Sequence, residues 1–134
     1  MIKKIYIFNE NGENRIIRTF RDTLSNEEIQ KKISEDISTN FIRLEKESII
    51  FRRYNKIVIS LVVENENEMY CLSIISLLME LLNRLFKNIT ELHLIYHFKD
   101  IYELLDKFIA GGYVIETDPD RIILREDIFP NKSN

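Results

Sequence analysis

The stretch SIIFRRYNKIVISLVVE, residues 48–64, consists of two apolar runs with a basic and aromatic segment between them. Both runs are rich in the β-branched and aromatic residues that favour strands. With the preceding FIRL run at residues 41–44, they predict three strands joined by turns at residues 45–48 and 54–56. A strongly apolar segment that keeps a basic corner in its middle requires an explanation, and that corner consists of Arg52, Arg53, Tyr54, Asn55 and Lys56.

The residues before this stretch predict a hairpin and a helix. Two apolar runs flank residues 9–14 (NENGEN), and an Asn-Gly pair in such a position is a strong hairpin signal. Ser25 is a suitable helix N-cap, and Ile29, Ile33 and Ile37 follow it at helical spacing. The sheet is therefore expected to have about five strands, the first two of them adjacent and antiparallel.

The residues after it predict mainly helices. Residues 69–86 form a long run that is apolar nearly all round, which indicates a buried central helix. A second helical pattern follows and is expected to stop at Gly111-Gly112, although residues 92–98 alone also suit a strand. A turn at Asp118-Pro119 precedes one or two helical turns. The apolar positions of the second pattern are Leu92, Ile95, Phe98, Ile101, Leu105 and Phe108.

Composition limits the class of protein. With 134 residues, 45% hydrophobic and 31% charged, the chain is expected to form one globular α+β domain with an antiparallel sheet and helices packed on it. The net charge of -3 and the lack of a basic run argue against nucleic acid as a partner. A single cysteine excludes an internal disulfide. No uncharged apolar stretch reaches the roughly 20 residues of a membrane span, so a cytosolic protein is expected.

The order of these elements, with five short motifs, resembles the longin fold of the small (sigma) subunits of clathrin-adaptor-type heterotetramers. Sigma subunits typically show an arginine pair before a tyrosine, an Asn-Glu pair before the long helix, a Glu-Leu-x-Leu run after it, and glycine followed by Glu-Thr. This sequence carries them in order as FRRY (51–54), NE (67–68), ELHL (91–94), GG (111–112) and ET (116–117). The resemblance implies a longin-like domain at residues 1–128, a polar tail at 129–134, and a five-stranded antiparallel sheet with helices on both faces.

The resemblance also implies partners and a site. A sigma subunit assembles in the cytoplasm with a large adaptin-like solenoid subunit and a medium subunit. The complex is recruited to coated membranes, so the sigma subunit contacts the membrane only indirectly. It needs no cofactor. Some sigma subunits bind acidic dileucine sorting signals of cargo tails, with an arginine near the acidic residue and apolar pockets for the leucines. The matching residues here are Arg15, Asn55, Ile57, Met79, Asn88, Ile89 and Leu94. Arg52, Arg53 and Tyr54 of the basic corner would lie beside this site.

Three features depart from the sigma pattern, and the first is a short connection after the first helix. Asn55 stands where dileucine-binding sigma chains have a small apolar residue, and a buried unpaired amide there would cost about 1–3 kcal/mol. The ending GGYVIETDPDRIILRE, residues 111–126, is similar to coatomer zeta chains. The alternatives are therefore a coatomer zeta-like subunit without a cargo site, or a free-standing longin-type regulator of a small GTPase or fusion protein.

Side chains that could support catalysis are few. His93 and His97 lie four residues apart and could share a helix face, but no matching carboxylate pattern accompanies them. Cys71 lies in an apolar helix without a basic neighbour one turn away, which is typical of a core cysteine. We therefore expect neither a catalytic nor a metal site.

Overall fold

The computed structural model describes residues 1–36 and 40–123, which form one five-stranded sheet, helices and a small hairpin. The expected α+β class is confirmed. In chain order the elements are β1 (Ile2–Asn9), β2 (Asn14–Thr19), α1 (Asn26–Glu35), β3 (Phe41–Arg43), β4 (Ser48–Tyr54), β5 (Ile57–Val63), α2 (Glu68–Phe86), α3 (Glu91–Tyr96), α4 (Phe98–Phe108), β6 (Ile109–Ala110), β7 (Tyr113–Val114) and α5 (Pro119–Ile123).

The sheet has the order β2-β1-β5-β4-β3, and all its pairs are antiparallel. The three strands predicted for residues 41–64 form one side of it as consecutive neighbours. β1 lies inside the sheet because β5 pairs with it, from Ile2 opposite Val63 to Asn9 opposite Ile57. All seven residues of β5 are buried, as expected for a strand covered on both faces.

Helices cover both faces of the sheet, as the resemblance implies. Helix α1 places Ile29 and Ile33 on one face, in an apolar cluster with Tyr6 and Phe51. Helices α2, α3, α4 and α5 contribute to a larger cluster on the other face. Because side chains alternate along each strand, neighbouring residues of β4 belong to different clusters. For the same reason, adjacent side chains at the β4 end of the basic corner lie on opposite faces of the sheet.

Two local signals act as the sequence predicts. The turn between β1 and β2 contains Gly12 at φ +83°, a left-handed conformation that glycine adopts readily. Ser25 caps α1 through a reciprocal pair of bonds: the Glu28 amide donates to Ser25 Oγ (3.2 Å), and the Ser25 amide donates to Glu28 Oε1 (3.0 Å). Helix α1 ends at Glu35, and Ile37 lies outside the described residues.

Helix α2 packs with one face only. Seven of its residues are buried, but Met69 is 79% exposed and Tyr70 is 41% exposed, so the helix is less buried than its composition predicts. By length and composition it could cross a membrane, since it has 19 mostly apolar residues. The core helix of a globular domain meets the same criteria, and here the buried face lies in the sheet's apolar cluster.

The second helical pattern is not one continuous stripe. The segment that was ambiguous with a strand is helix α3, and a break at His97 separates it from α4. This break leaves Leu92, Ile95 and Phe98 exposed, whereas Ile101, Leu105 and Phe108 remain buried as expected.

The prediction that Gly111-Gly112 stops this helix is wrong. Helix α4 ends at Phe108, and its cap residue Ile109 already has an extended backbone (φ -133°). The two glycines form the turn between β6 and β7 instead, both with positive φ. Helix α5 begins at Pro119 as the turn signal predicts, and the polar tail at residues 129–134 lies outside the described residues.

Candidate functional site

The two arginines of the basic corner point to opposite faces of the sheet. Arg52 Nη1 donates to Ser76 Oγ of α2 at 3.4 Å. Arg53 Nη2 donates to the Ile33 carbonyl at 3.2 Å, near the end of α1, and its guanidinium lies 5.0 Å from the centre of the Phe51 ring. The adjacent arginines therefore connect β4 to a helix on each face, and they do not form one basic patch.

The turn between β4 and β5 explains the asparagine at position 55. Asn55 and Lys56 have φ values of +53° and +69°, the pair of positive angles that defines a type I′ hairpin turn. Asn tolerates this conformation better than most residues. Asn55 is exposed, and its Nδ2 donates to the Ile89 carbonyl at 3.0 Å. The expectation of a buried, unpaired amide is therefore wrong.

The proposed leucine-pocket positions come together, but inside the core. Ile57, Met79, Ile89 and Leu94 belong to one apolar cluster, and each is at most 8% exposed. Met79 has the largest exposed fraction of the four. In this conformation these side chains fill the core, and of the four only Ile57 also borders the cavity described below.

The loop between α2 and α3 connects these positions to the hairpin. Tyr54 Oη donates to Asn88 Oδ1 at 3.5 Å, a long bond between two accessible side chains. The Ile89 amide donates to Asn83 Oδ1 of α2 at 2.9 Å. Because the Ile89 carbonyl also accepts from Asn55, the loop is bonded on one side to α2 and on the other to the β4–β5 turn.

Arg15 lies at the other end of this loop, where Glu91 binds it. Arg15 Nε donates to Glu91 Oε2 at 2.8 Å, and Arg15 Nη2 lies 3.5 Å from Glu13 Oε1. Nδ2 of the buried Asn9 side chain also donates to Glu91 Oε2, at 2.7 Å. These bonds from Asn9 and Arg15 to the carboxylate lower the pKa of Glu91 below its usual value.

Segment 88–91 therefore contacts Tyr54 and Asn55 of the hairpin at one end and Arg15 at the other. Sequence reasoning identified Glu91 as part of a motif but not as the partner of Arg15. The two residues are 76 positions apart, and local patterns carry no information about such a contact.

A cavity of about 440 Å³ lies on the α1 side of the hairpin tips. Phe8, Ile33 and Val58 contribute apolar lining, while Arg53 and Lys56 contribute positive charge. Sequence patterns do not indicate this cavity, because it forms between α1 and two turns that are distant in the chain.

The groups considered for catalysis have structural contacts. His93 Nδ1 accepts from the Thr90 amide at 2.9 Å and so helps to cap α3, and its ring stacks on Phe86 with 4.5 Å between ring centres. Burial, with a smaller effect of His97, lowers the pKa of His93. Burial raises the pKa of Cys71 to about 11, so its thiol stays protonated and weakly nucleophilic near neutral pH.

Comparisons with known proteins give one consistent result. A family model of the clathrin adaptor complex small chain matches residues 1–131. The AP-3 complex subunit sigma of Schizosaccharomyces pombe is 33% identical, over 92% of this chain and 83% of that protein. The AP-1 complex subunit sigma-3 of Mus musculus is also 33% identical, over 87% of this chain and 82% of that protein. The AP-2 complex subunit sigma of Dictyostelium discoideum is 29% identical, over 98% of this chain and 99% of that protein.

The fold comparison agrees. The chain superimposes with a TM-score of 0.71 on a chain of a homology model of the full-length AP-3 complex in a stretched open conformation. The two are 25% identical, and the match covers 95% of this chain and 92% of the other. The sequence motifs, the five-stranded sheet covered on both faces and these similarities lead to one conclusion: the chain belongs to the clathrin adaptor complex small-chain family.

Proposed function

We propose that this chain is the small subunit of a vesicle-coat adaptor heterotetramer and that it binds acidic dileucine signals of cargo tails. It would work in the cytoplasm at coated membranes, with a structural and recognition role and no catalysis. Family membership supports the first part, since the relatives are named as sigma subunits of AP-1, AP-2 and AP-3 complexes. The convergence of Arg15, Asn88 and the apolar cluster on segment 88–91 carries the second part.

Exposed apolar side chains near the α3–α4 junction support assembly with partner subunits. Leu92 is 62% exposed and Tyr96 is 74% exposed, and Ile95 and Phe98 lie close to them in sequence with 39% and 45% exposed. A group of large apolar residues on a domain this small is more typical of a subunit than of a free monomer.

Purification of the tagged chain from its own cells tests the assembly. We expect one large solenoid subunit and one medium subunit to co-purify with it in equal amounts, because the proposed role requires a heterotetramer. The free-standing regulator would be favoured instead if the chain were recovered as a monomer or only with a small GTPase.

Cargo binding requires that the apolar cluster open. Because Ile57, Met79, Ile89 and Leu94 are buried, two leucine side chains can reach them only after neighbouring side chains move. Met79 suits such a movement, since methionine is unbranched and changes rotamer easily. The proposed binding mode is therefore a rearrangement in the assembled complex, with Arg15 near the upstream acidic residue.

Replacement of Arg15 by serine tests the recognition of the acidic residue. With the assembled complex and a fluorescein-labelled peptide carrying Glu upstream of Leu-Leu, we expect Arg15→Ser to weaken binding about tenfold, corresponding to about 1.4 kcal/mol. The salt dependence of binding should also decrease, because one cation is removed. Fluorescence anisotropy at two salt concentrations measures both effects.

Arg21→Ser provides the control, since it removes the same formal charge from an exposed side chain beyond the other end of β2. Equal losses in both variants would mean that general electrostatics, and not the Arg15 contact, governs binding. Unchanged binding in Arg15→Ser would contradict the proposed position of the acidic residue.

A further inference from the structure

The cation proposed to receive the acidic residue of the cargo already binds a carboxylate of its own chain. Glu91 Oε2 accepts from Arg15 Nε at 2.8 Å, and Asn9 Nδ2 donates to the same oxygen at 2.7 Å. The Arg15 and Glu91 side chains are only 22% and 30% exposed, so water shields this contact incompletely. The internal carboxylate is therefore well positioned, with two donors holding one of its oxygens.

A second carboxylate increases the negative charge at this place. Glu13 Oε1 lies 3.5 Å from Arg15 Nη2, but Glu13 is 60% exposed and more fully hydrated. Arg15, Glu13 and Glu91 together carry a formal charge of -1. An approaching acidic side chain therefore meets a group that is negative overall, although one arginine lies at its centre.

We infer that Glu91 is an internal competitor that lowers the affinity of the proposed cargo site for acidic signals and weakens its preference for an acidic residue. This inference rests on the proposed cargo site. An incoming carboxylate either displaces Glu91 from Arg15 Nε or binds the Nη atoms while Glu91 remains. Displacement loses an existing charge-assisted bond, and the second arrangement places two carboxylates close together on one guanidinium.

Glu91→Gln tests the inference with little change of shape. The glutamine oxygen can still accept from Asn9 and Arg15, so the loop should keep its geometry while the negative charge is removed. In the assembled complex we expect this variant to bind the labelled Glu-containing dileucine peptide five- to tenfold more tightly. Its affinity for the same peptide with Gln in place of Glu should change less than twofold.

Two further variants show whether the gain acts through Arg15. In Arg15→Ser combined with Glu91→Gln, the preference for the acidic peptide should disappear, because the cation over which the two carboxylates compete is absent. Glu13→Gln is the matched control: it removes a charge from the more exposed and more distant neighbour, and its gain should be clearly smaller.

The outcomes separate this inference from the function on which it rests. If the wild type binds the acidic peptide and Glu91→Gln binds it no more tightly, the competitor role is wrong while cargo binding stands. An equal increase in affinity for both peptides would also overturn it. That result would mean that the substitution makes the whole site more accessible and does not act by releasing Arg15 from a competing carboxylate. If neither peptide binds any of the variants, the proposed cargo site itself fails.

Discussion

Phe108→Ala should lower the free energy of unfolding by about 3–5 kcal/mol, which is the usual range for removing a fully buried aromatic ring. Phe108 has no exposed surface and belongs to the large apolar cluster between the sheet and the helices. Truncation leaves a cavity that the surrounding side chains can fill only in part. Since domains of this size are stable by only about 5–15 kcal/mol, this loss would be a large fraction of the total.

Phe98→Ala is the control, because it makes the same chemical change at the start of the same helix. Phe98 is 45% exposed, so its truncation should change the free energy of unfolding by less than about 1 kcal/mol. Urea denaturation of the full chain, followed by circular dichroism, gives both values. Similar losses in the two variants would contradict the division of this helical pattern into an exposed and a buried part.

That division also shows what the sequence does not predict. A continuous helical repeat places Leu92, Ile95 and Phe98 on the same stripe as Phe108. With the break at His97, however, the first part buries Leu94 and leaves Leu92 and Ile95 exposed. No proline or glycine marks this break. The His97 amide still donates to the His93 carbonyl at 2.8 Å, but the His97 backbone (φ -124°, ψ 29°) is no longer helical, and helical periodicity cannot reveal such a local change.

Most features that depend on neighbouring residues were predicted correctly, and the exception is the helix stop at Gly111-Gly112. The Asn-Gly hairpin, the Ser25 cap and the turns on either side of β4 depend on residues a few positions apart. By contrast, the pairing of β1 with β5 joins residues more than 45 positions apart, and residue patterns alone do not select that partner. The resemblance to a known family supplied the longin-like arrangement that local patterns could not.

For the candidate site, too, short-range patterns were informative and long-range contacts were not. The family motifs identified residues that the fold does bring to one loop. The hydrogen-bond partners of these residues come from distant parts of the chain, and the sequence did not predict those partners. Asn55 suits a turn and bonds to Ile89, and Arg15 binds Glu91.

The glycine pair shows why such contacts matter for stability, since its two members should respond very differently to the same substitution. Gly112 has φ +91°, and a Cβ atom there would lie 2.5 Å from the Ile2 carbonyl oxygen and 2.8 Å from Met1 Cε. The Gly112 carbonyl also accepts from the Ile2 amide at 2.7 Å, which connects the β6–β7 turn to β1.

Gly112→Ala should therefore lower the free energy of unfolding by about 2–4 kcal/mol, from left-handed strain of about 1–2 kcal/mol and a backbone clash of similar size. Gly111→Ala should cost only about 1–2 kcal/mol, because its φ of +59° produces the same kind of strain while no atom lies within 4 Å of its Cβ position. Urea denaturation of both variants gives the two losses in the free energy of unfolding. Their difference measures the effect of the clash with Ile2 and Met1, because only position 112 has it. Equal losses would mean that only backbone conformation requires these glycines, and that a Cβ atom at position 112 is accommodated despite the close approach of the turn to Ile2.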